Sequence, residues 1–222
     1  MKKLLTKPIE LLLIGLALVP LIFMAITWGS YPEKVPLHWG PDGKVDNMGS
    51  PAALWIFACI GLAFYPLLLL IPKIDPKQKN MAADSKGFGS LRFILHLFFA
   101  ALPIVAGLAA LNILTDIPKV MMIMVLLLFM GLGNYFTVIK PNYFAGIRTP
   151  WTLSNDEVWR RTHRLGGWMW VIMSVIQLPL VFVLQPEPLF IIFFSALIAS
   201  SAVVIFYSYW LWKKLKHNES KV

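Results

Sequence analysis

The sequence predicts an all-α, polytopic membrane helix bundle with six transmembrane helices and with both termini on the cytoplasmic side. Of its 222 residues, 58% are hydrophobic and only 14% are charged. A soluble domain averages roughly 45–50% apolar and about 25% charged residues, so a single water-soluble core cannot hide this apolar surface. Six apolar segments carry the excess, and about 20 helical residues span the ~30 Å hydrocarbon layer. They are Ile9–Trp28, Ala52–Ile71, Phe93–Leu114, Val120–Ile139, Gly167–Leu184 and Leu189–Trp212.

The distribution of lysine and arginine predicts the orientation. Seventeen of the twenty basic residues fall in the N-terminus, the loop Pro72–Arg92, the loop Lys140–Gly166 and the tail from Lys213. Because basic residues concentrate in cytoplasmic loops, all four segments are predicted to face the cytoplasm. The net charge of +9 is therefore interpreted as a signature of topology and of contact with anionic lipid, not of direct nucleic-acid binding.

Two units are predicted along the chain. Residues 1–92 form an N-terminal two-helix unit with a structured outer loop at 29–51, and residues 93–222 form a four-helix region with an inner loop at 140–166. Four of the predicted helices contain an interior proline, which removes a backbone hydrogen bond and tends to kink a helix. These prolines are Pro20, Pro66, Pro103 and Pro179.

The predicted membrane interior contains few charges. Glu10 opens the first helix, and no other Asp or Glu lies within a span, which argues against an ion-coupled pump. Arg92 and His96 lie one turn apart where the third helix enters the membrane. We interpret them as a snorkelling side chain at a capped interface, and the alternative is a titrating switch. No catalytic residues, cofactor or metal site are predicted, and the chain is not expected to be an enzyme.

The outer loop is rich in turn-forming residues. Two early prolines hold the chain extended, and Pro41-Asp42-Gly43 is typical of a turn. We predict a compact loop that rests on the bundle and offers a contact surface for a partner. The candidate contact residues are Pro36, His38, Trp39, Gly43 and Asp46.

The inner loop is the most informative stretch. Ser154 is predicted to cap a helix that runs from Asn155 to about Leu165, with Glu157 completing a capping box. Trp159 and His163, four residues apart, share a face of this basic amphipathic helix. Gly166-Gly167 is predicted to end it. Such a helix serves either as an anchor on anionic lipid or as a docking surface for a cytoplasmic protein, with Trp151 and Trp159 as anchors.

These two loops carry a family resemblance. The run G-I-R-T-P-W-T-L-S…V-W…T-H-R…G-G from Gly146 to Gly167, preceded by G-N-Y…K-P-N from Gly133 to Asn142, resembles the hallmark of the SdpI-like immunity proteins of bacteria. The outer P-x-x-V-P-L-H-W…G…D…G-S-P run is similar to the small domain of unknown function that opens many members.

The resemblance implies a bacterial plasma-membrane protein with two roles. Characterised members protect the cell from a secreted, membrane-disrupting peptide toxin, and they hold a small helix-turn-helix repressor at the membrane when toxin is sensed. The implied partners are thus the lipid bilayer, an extracellular peptide toxin and a cytoplasmic repressor. The candidate inner partner-binding residues are Asn134, Lys140, Asn142, Gly146, Arg148, Thr149, Pro150, Trp151, Thr152, Trp159, Arg160, His163 and Arg164.

Other functions stay open at this point. A small-solute or lipid transporter or channel would bring polar residues from several helices together. A membrane enzyme would need a titratable cluster, and a chaperone-like role would show as membrane partners bound without toxin.

Overall fold

The computed structural model describes residues 7–81 and 86–219, apart from the side chains of Lys86 and Glu219. Lys2, Lys3 and Lys221, which contribute to the predicted orientation, lie outside this part. Seven α-helices and one two-stranded hairpin are found in it: α1 Pro8–Thr27, β1 Val35–Trp39, β2 Val45–Gly49, α2 Ala52–Ile74, α3 Lys86–Ala110, α4 Ile117–Phe136, α5 Pro150–Ser154, α6 Asp156–Leu180 and α7 Pro186–Glu219. Short 3₁₀ helices lie at Trp28–Ser30 and Gln78–Met81.

Within the described residues, five helical segments are long and apolar enough to cross a membrane. They are Pro8–Ser30, Ala52–Ile74, Gly87–Ala110, Ile117–Phe136 and Pro186–Asn218. The all-α membrane-bundle fold class is therefore confirmed. The sixth predicted span is the apolar C-terminal part of α6, whose first turns are polar, so a six-span topology with both termini inside stays a prediction.

The course of α6 differs from the prediction in two ways. Gly166 and Gly167 do not end the helix, because one continuous helix runs from Asp156 to Leu180. Its cap is Asn155, whose side-chain oxygen accepts hydrogen bonds from the backbone N–H groups of Glu157 and Val158. The predicted Ser154 cap is wrong, since the Ser154 hydroxyl bonds to the Trp151 carbonyl at the end of α5.

The outer loop forms a β-hairpin, which adds a small strand element to the predicted helical fold. β1 and β2 pair antiparallel with irregular register on both sides of His38. The predicted turn is confirmed, with the Gly43 N–H bonded to the Gly40 carbonyl and Gly43 at a φ of +83°. The hairpin rests on the bundle, because a Cβ on Gly43 would lie 2.9 Å from Pro118 and 3.3 Å from Pro186.

The six long helices pack in two groups of three. In the first group, α1, α2 and α3 contact one another, and in the second group, α6 packs against both α4 and α7. A contact between α3 and α4 joins the two groups. Many large apolar side chains point outward, among them Ile26, Ile56, Phe182 and Phe206, each about 70% exposed or more. Exposed apolar surface on this scale is unusual for a soluble monomer and fits a lipid environment. The predicted division into units at residue 92 stays a prediction.

The bundle has two structurally distinct ends. We call the end that bears the hairpin and the N-termini of α4 and α7 the hairpin end. We call the opposite end, which bears the segment 137–163 and the C-terminus of α2, the motif end. At the motif end, Lys77 after α2 lies 3.5 Å from Asp156 at the start of α6.

Candidate functional site

The motif end is built on buried polar side chains that fix backbone. The Asn142 amide is fully buried, and its oxygen accepts hydrogen bonds from the N–H groups of Phe144 and Ala145 at 2.9 and 2.7 Å. Its amide nitrogen donates to the Lys140 carbonyl. A residue that offers both a donor and an acceptor can hold such a turn, so Asn142 shapes the loop between α4 and α5.

Asp75 ties this loop to α2, a role that the sequence did not reveal. Its buried carboxylate accepts hydrogen bonds from the Lys77 N–H at 2.6 Å and from the Tyr143 N–H at 2.9 Å. Asn80 adds a second tie, since its amide donates to the Pro141 carbonyl at 2.7 Å. The end of α2 and the loop between α4 and α5 (residues 137–149), which we call the motif loop, therefore form one connected polar structure.

His163 and Trp159 form the centre of the motif end. The rings stack with centroids 4.0 Å apart, which confirms that they share a helix face. The Ile147 N–H donates to Nε2 of His163 at 2.7 Å, so Nε2 carries a lone pair and Nδ1 carries the proton that is donated to the Trp159 carbonyl at 2.8 Å. Burial lowers the pKa of His163 to about 4, although the bond to the Trp159 carbonyl opposes the shift. His163 is therefore neutral at pH 7.

Gly146 is required where the loop crosses His163. Its φ of +107° is one that side chains rarely adopt, and a Cβ there would collide with Nε2 of His163. This close approach lets the following Ile147 N–H reach the imidazole. Trp159 completes the cluster by donating from Nε1 to the Ile139 carbonyl at 3.1 Å.

The short helix α5 is held between the loop and α7. Thr149 and Thr152 form a capping box, in which each side chain accepts from the other residue's backbone N–H. Trp151 donates from its indole N–H to the Ser208 hydroxyl on α7 and packs edge-on against Tyr209. Trp151 therefore joins α5 to α7 in this packing.

The predicted inner partner-binding residues thus divide into two sets. Four are buried side chains that hold the motif end together: Asn142, Thr152, Trp159 and His163. Six are exposed: Asn134, Lys140, Arg148, Pro150, Arg160 and Arg164. Gly146, Thr149 and Trp151 lie between these extremes. The prediction that Trp159 anchors a partner does not fit this packing, because its side chain has no exposed surface.

The exposed arginines of α6 surround one carboxylate. Arg160 binds Glu157 through two hydrogen bonds of 2.9 and 2.7 Å, and Arg161 donates to the same carboxylate at 2.6 Å. These bonds from Arg160 and Arg161 hold the pKa of Glu157 below its usual range. The two arginines outnumber the acid, so this surface stays positively charged.

A buried ion pair joins α1 to α3, and it corrects the snorkelling interpretation of Arg92. Both Arg92 and Glu10 are almost completely buried, and two hydrogen bonds of 2.7 Å join the guanidinium to the two carboxylate oxygens. The Tyr65 hydroxyl on α2 donates to the same carboxylate at 2.9 Å. His96 donates to the Arg92 carbonyl at 2.7 Å and contacts the Tyr65 ring edge-on. Arg92 is therefore drawn inward by a partner 82 positions away.

The hairpin end holds a large apolar cleft between the two helix groups. Its volume is about 680 Å³. Hairpin residues 36–41 form part of its wall, and the remainder comes from α2, α3, α4, the turn 181–185 that follows α6, and α7. Phe57, Leu102, Met122 and Phe190 are examples. A cleft of this size, lined mainly by apolar side chains, is typical of a site for an apolar ligand.

Three of the five outer candidates line this cleft, namely Pro36, His38 and Trp39. Gly43 contacts the helix ends beside it, and Asp46 accepts a hydrogen bond from His38 at 2.6 Å, with both side chains exposed. The hairpin therefore brings the outer candidates together on one side of an apolar chamber.

The fold and its two ends define the class of protein: an all-α multi-pass membrane protein with a polar motif at one end and a hairpin-covered apolar cleft at the other. Residues 138–208 match the model of the SdpI/YfhL protein family, and residues 15–66 match the domain of unknown function DUF1648. The segment 138–208 is therefore similar to the SdpI/YfhL family, and the resemblance seen in the sequence is confirmed.

The chain is also similar to a characterised protein along nearly its whole length. Immunity protein SdpI of Bacillus subtilis (strain 168) is 24% identical over 205 residues, which cover 91% of this chain and 96% of that protein. No solved structure gives a significant match. The DUF1648 region contains most of α1, the whole hairpin and much of α2, whereas the SdpI/YfhL region contains the motif loop, α5, α6 and most of α7.

Proposed function

We propose that this chain is an immunity protein of the bacterial plasma membrane that protects its cell from a secreted, membrane-active peptide toxin. The observation that carries the proposal is the similarity to an immunity protein across nearly the full length of both chains. The proposal involves no catalytic step. Its chemistry is recognition of an apolar or amphipathic peptide within the membrane.

In this proposal the toxin binds at the hairpin end. The cleft lies between the two helix groups and is lined mainly by apolar side chains, with His38 and Trp39 at its hairpin wall. An amphipathic peptide could bury apolar residues against Leu102 and Phe190 while its polar face stays near the hairpin. Burial of apolar surface from water contributes about 25 cal/mol per Å², so a peptide arriving from the aqueous side gains affinity there.

Survival of cells under toxin tests this proposal. A toxin-sensitive bacterial strain expresses the full chain and is challenged with the peptide toxin against which characterised SdpI-like proteins protect. We expect protection by the unmodified chain and its loss with Leu102→Trp, which fills the cleft. Leu97→Trp is the matched control, because Leu97 lies on the same helix and is 49% exposed outside the cleft. Lack of protection by the unmodified chain, or equal protection by both variants at equal membrane levels, would contradict the proposal.

The second part of the proposal is signalling to a cytoplasmic helix-turn-helix repressor. The exposed residues of the segment 140–164, led by Arg148 and Arg160, offer a basic surface for such a partner. Toxin binding between the helix groups would favour one of two packings of the bundle and so change access to this surface. A ligand shifts such an equilibrium only through its different affinities for the two packings.

Membrane capture of the repressor tests this part. Arg148→Ala removes an exposed guanidinium from the loop, whereas Trp159→Ala removes the buried centre of the motif end. We expect Arg148→Ala to weaken capture while the protein remains in the membrane at normal levels. Normal capture and normal survival with both variants, at normal expression, would show that the inner loop has no such role.

A transporter or channel is the second candidate, and one observation favours it. Glu10, Tyr65, Arg92 and His96 bring titratable side chains from three helices into the first helix group. Polar residues at membrane depth commonly mark ion or solute pathways. Uptake of solutes or lipid by liposomes that contain the purified chain, abolished by Glu10→Gln, would support this function over immunity.

A further inference from the structure

A second groove, separate from the cleft at the hairpin end, runs along the outer face of α4 and α6. Its volume is about 810 Å³. The polar and the apolar residues that line the groove lie at opposite ends of it. Asn134, Thr137, Arg160 and Arg164 lie toward the motif end, whereas Leu127, Met130 and Val171 lie further along the two helices toward the hairpin end. About 10 residues separate Leu127 from Thr137, or roughly 15 Å of helix. The groove therefore has a cationic head and an apolar tail.

The groove forms where the backbones of α4 and α6 touch. A Cβ on Gly133 would lie 2.7 Å from the Gly167 carbonyl oxygen, and a Cβ on Gly167 would collide with the Gly133 carbonyl oxygen. Because neither residue has a side chain, the helices meet at this point. The larger side chains beside the contact, such as Arg164 and Met130, then form the walls of the groove.

The cationic head has unused binding capacity. The Glu157 carboxylate is already engaged by Arg160 and Arg161. Arg164 is exposed, and in the part of the chain that the structure describes it has no ion-pair or hydrogen-bond partner. A guanidinium presents several donors in a planar fork that matches a phosphate. The exposed Asn134 amide lines the same groove and offers another donor.

We propose that this groove is a binding site for an anionic phospholipid. The phosphate binds Arg164 beside Asn134, and one acyl chain lies along Leu127, Met130 and Val171. Two features distinguish a lipid from a free phosphate ion: the apolar tail of the groove continues from its cationic head, and Trp168 is 54% exposed beside it, as interfacial tryptophans are. Basic pockets between helices on the cytoplasmic side bind acidic headgroups in this way. The site does not depend on toxin or repressor.

Lipid titration of the purified full chain tests the proposal. The chain is prepared in a neutral detergent and titrated with phosphatidylglycerol or phosphatidylcholine, while native mass spectrometry counts bound lipid and the melting temperature is followed. We expect saturable binding and stabilisation by phosphatidylglycerol only. Arg164→Gln raises the half-saturating mole fraction about tenfold or more, because a hydrogen bond to a charged group contributes about that factor. Equal binding of both lipids by the unmodified chain would overturn the proposal.

Arg161→Gln is the matched control, since it removes the same charge from the same helix at a residue that does not line the groove. It should leave phosphatidylglycerol binding within about twofold, because a surface charge outside the groove contributes little. If both variants lose binding equally, the interaction is diffuse attraction to a basic surface, and the specific site is refuted.

Two further arms separate a lipid from its headgroup. Inorganic phosphate and glycerophosphoglycerol, at the same concentrations, should not stabilise the chain. Leu127→Trp narrows the apolar tail at a residue that is 52% exposed, and it should weaken phosphatidylglycerol binding even if Arg164→Gln fails to fold. Stabilisation by the free headgroup, or unchanged lipid binding by Leu127→Trp, would overturn a lipid site.

Discussion

Breaking the Glu10–Arg92 ion pair should be far more costly than replacing it. The pair is buried, with 0% and 1% exposed side chains, and two hydrogen bonds of 2.7 Å join it. Glu10→Leu leaves a buried guanidinium without its carboxylate, and Arg92→Met leaves a buried carboxylate without its guanidinium. Each single change should lower the free energy of unfolding by about 3–5 kcal/mol, the range found when one member of a buried pair is removed.

The double variant Glu10→Leu/Arg92→Met should recover most of this loss. Removing both charges removes the desolvation penalty together with the attraction, and buried pairs replaced by apolar residues are often neutral. The double variant should therefore be more stable than either single variant. The bond from the Tyr65 hydroxyl to Glu10 is lost as well, which leaves a residual cost of about 1 kcal/mol.

The assay is equilibrium unfolding of the full chain in bicelles, followed by tryptophan fluorescence. The matched control is the exposed pair Asp116–Lys119, whose atoms lie 2.6 Å apart with exposures of 51% and 38%. Its disruption should cost no more than about 1 kcal/mol. If the double variant at Glu10 and Arg92 loses the sum of the two single losses, the pair is not coupled and the reasoning fails.

Three further perturbations test the packing and the motif end by the same unfolding assay. Gly167→Ala should lower the free energy of unfolding by about 1–3 kcal/mol, because the added methyl group overpacks against α4. The control is Gly15→Ala in α1, where an added Cβ would have nothing within 4 Å, and it should be neutral or stabilising. Equal effects of the two changes would refute the backbone contact between α4 and α6. The pKa of His163 falls on folding to about 4 from about 6.5 in the unfolded chain, so the unfolded state binds more protons between these two pH values. The contribution of His163 to the free energy of unfolding is therefore complete above pH 6.5 and declines toward pH 4, by about 3 kcal/mol in all. A His163→Gln variant whose stability depends on pH in the same way would contradict this. Asp75→Ala should leave two backbone N–H groups without their acceptor, cost about 1.5–3 kcal/mol and speed amide exchange at Tyr143, while the exposed Asp42→Ala should do neither.

The long helices could be predicted from the sequence because each apolar run is continuous and of membrane-spanning length. The i, i+4 pairing of Trp159 with His163 was equally accessible, since helical period alone places them together. The helical period could not reveal which part of the molecule this face packs against. It packs on Ile139 and the motif loop, and this depends on how α4 and α6 meet.

The Gly166-Gly167 pair shows why local signals misplaced a helix boundary. Two adjacent glycines usually weaken a helix, and the sequence therefore predicted an end there. In the structure, Gly167 faces Gly133 at the contact between α6 and α4. A close contact between backbones needs glycine as much as a turn does, and only the tertiary packing distinguishes the two.

The buried cluster around Arg92 was not predicted for a related reason. Glu10 and Arg92 each lie near the start of a helix, where single-residue reasoning places a charge at the interface. Their pairing requires α1 and α3 to be neighbours that begin at the same end of the bundle. The one available signal was that an acid and a base occur at equivalent depths in two helices predicted to run in the same direction.

Both parts of the proposed function require the hairpin to face the outside of the cell and the motif end to face the cytoplasm. A membrane-impermeant thiol reagent tests it directly on intact cells, with Asp42→Cys in the hairpin turn and Ser154→Cys at the end of α5, both exposed, each in a Cys59→Ala background because Cys59 is also exposed. We expect Asp42→Cys to react in intact cells and Ser154→Cys to react only after the membrane is permeabilised. Reaction of both from the same side, or the reverse pattern, would contradict the account.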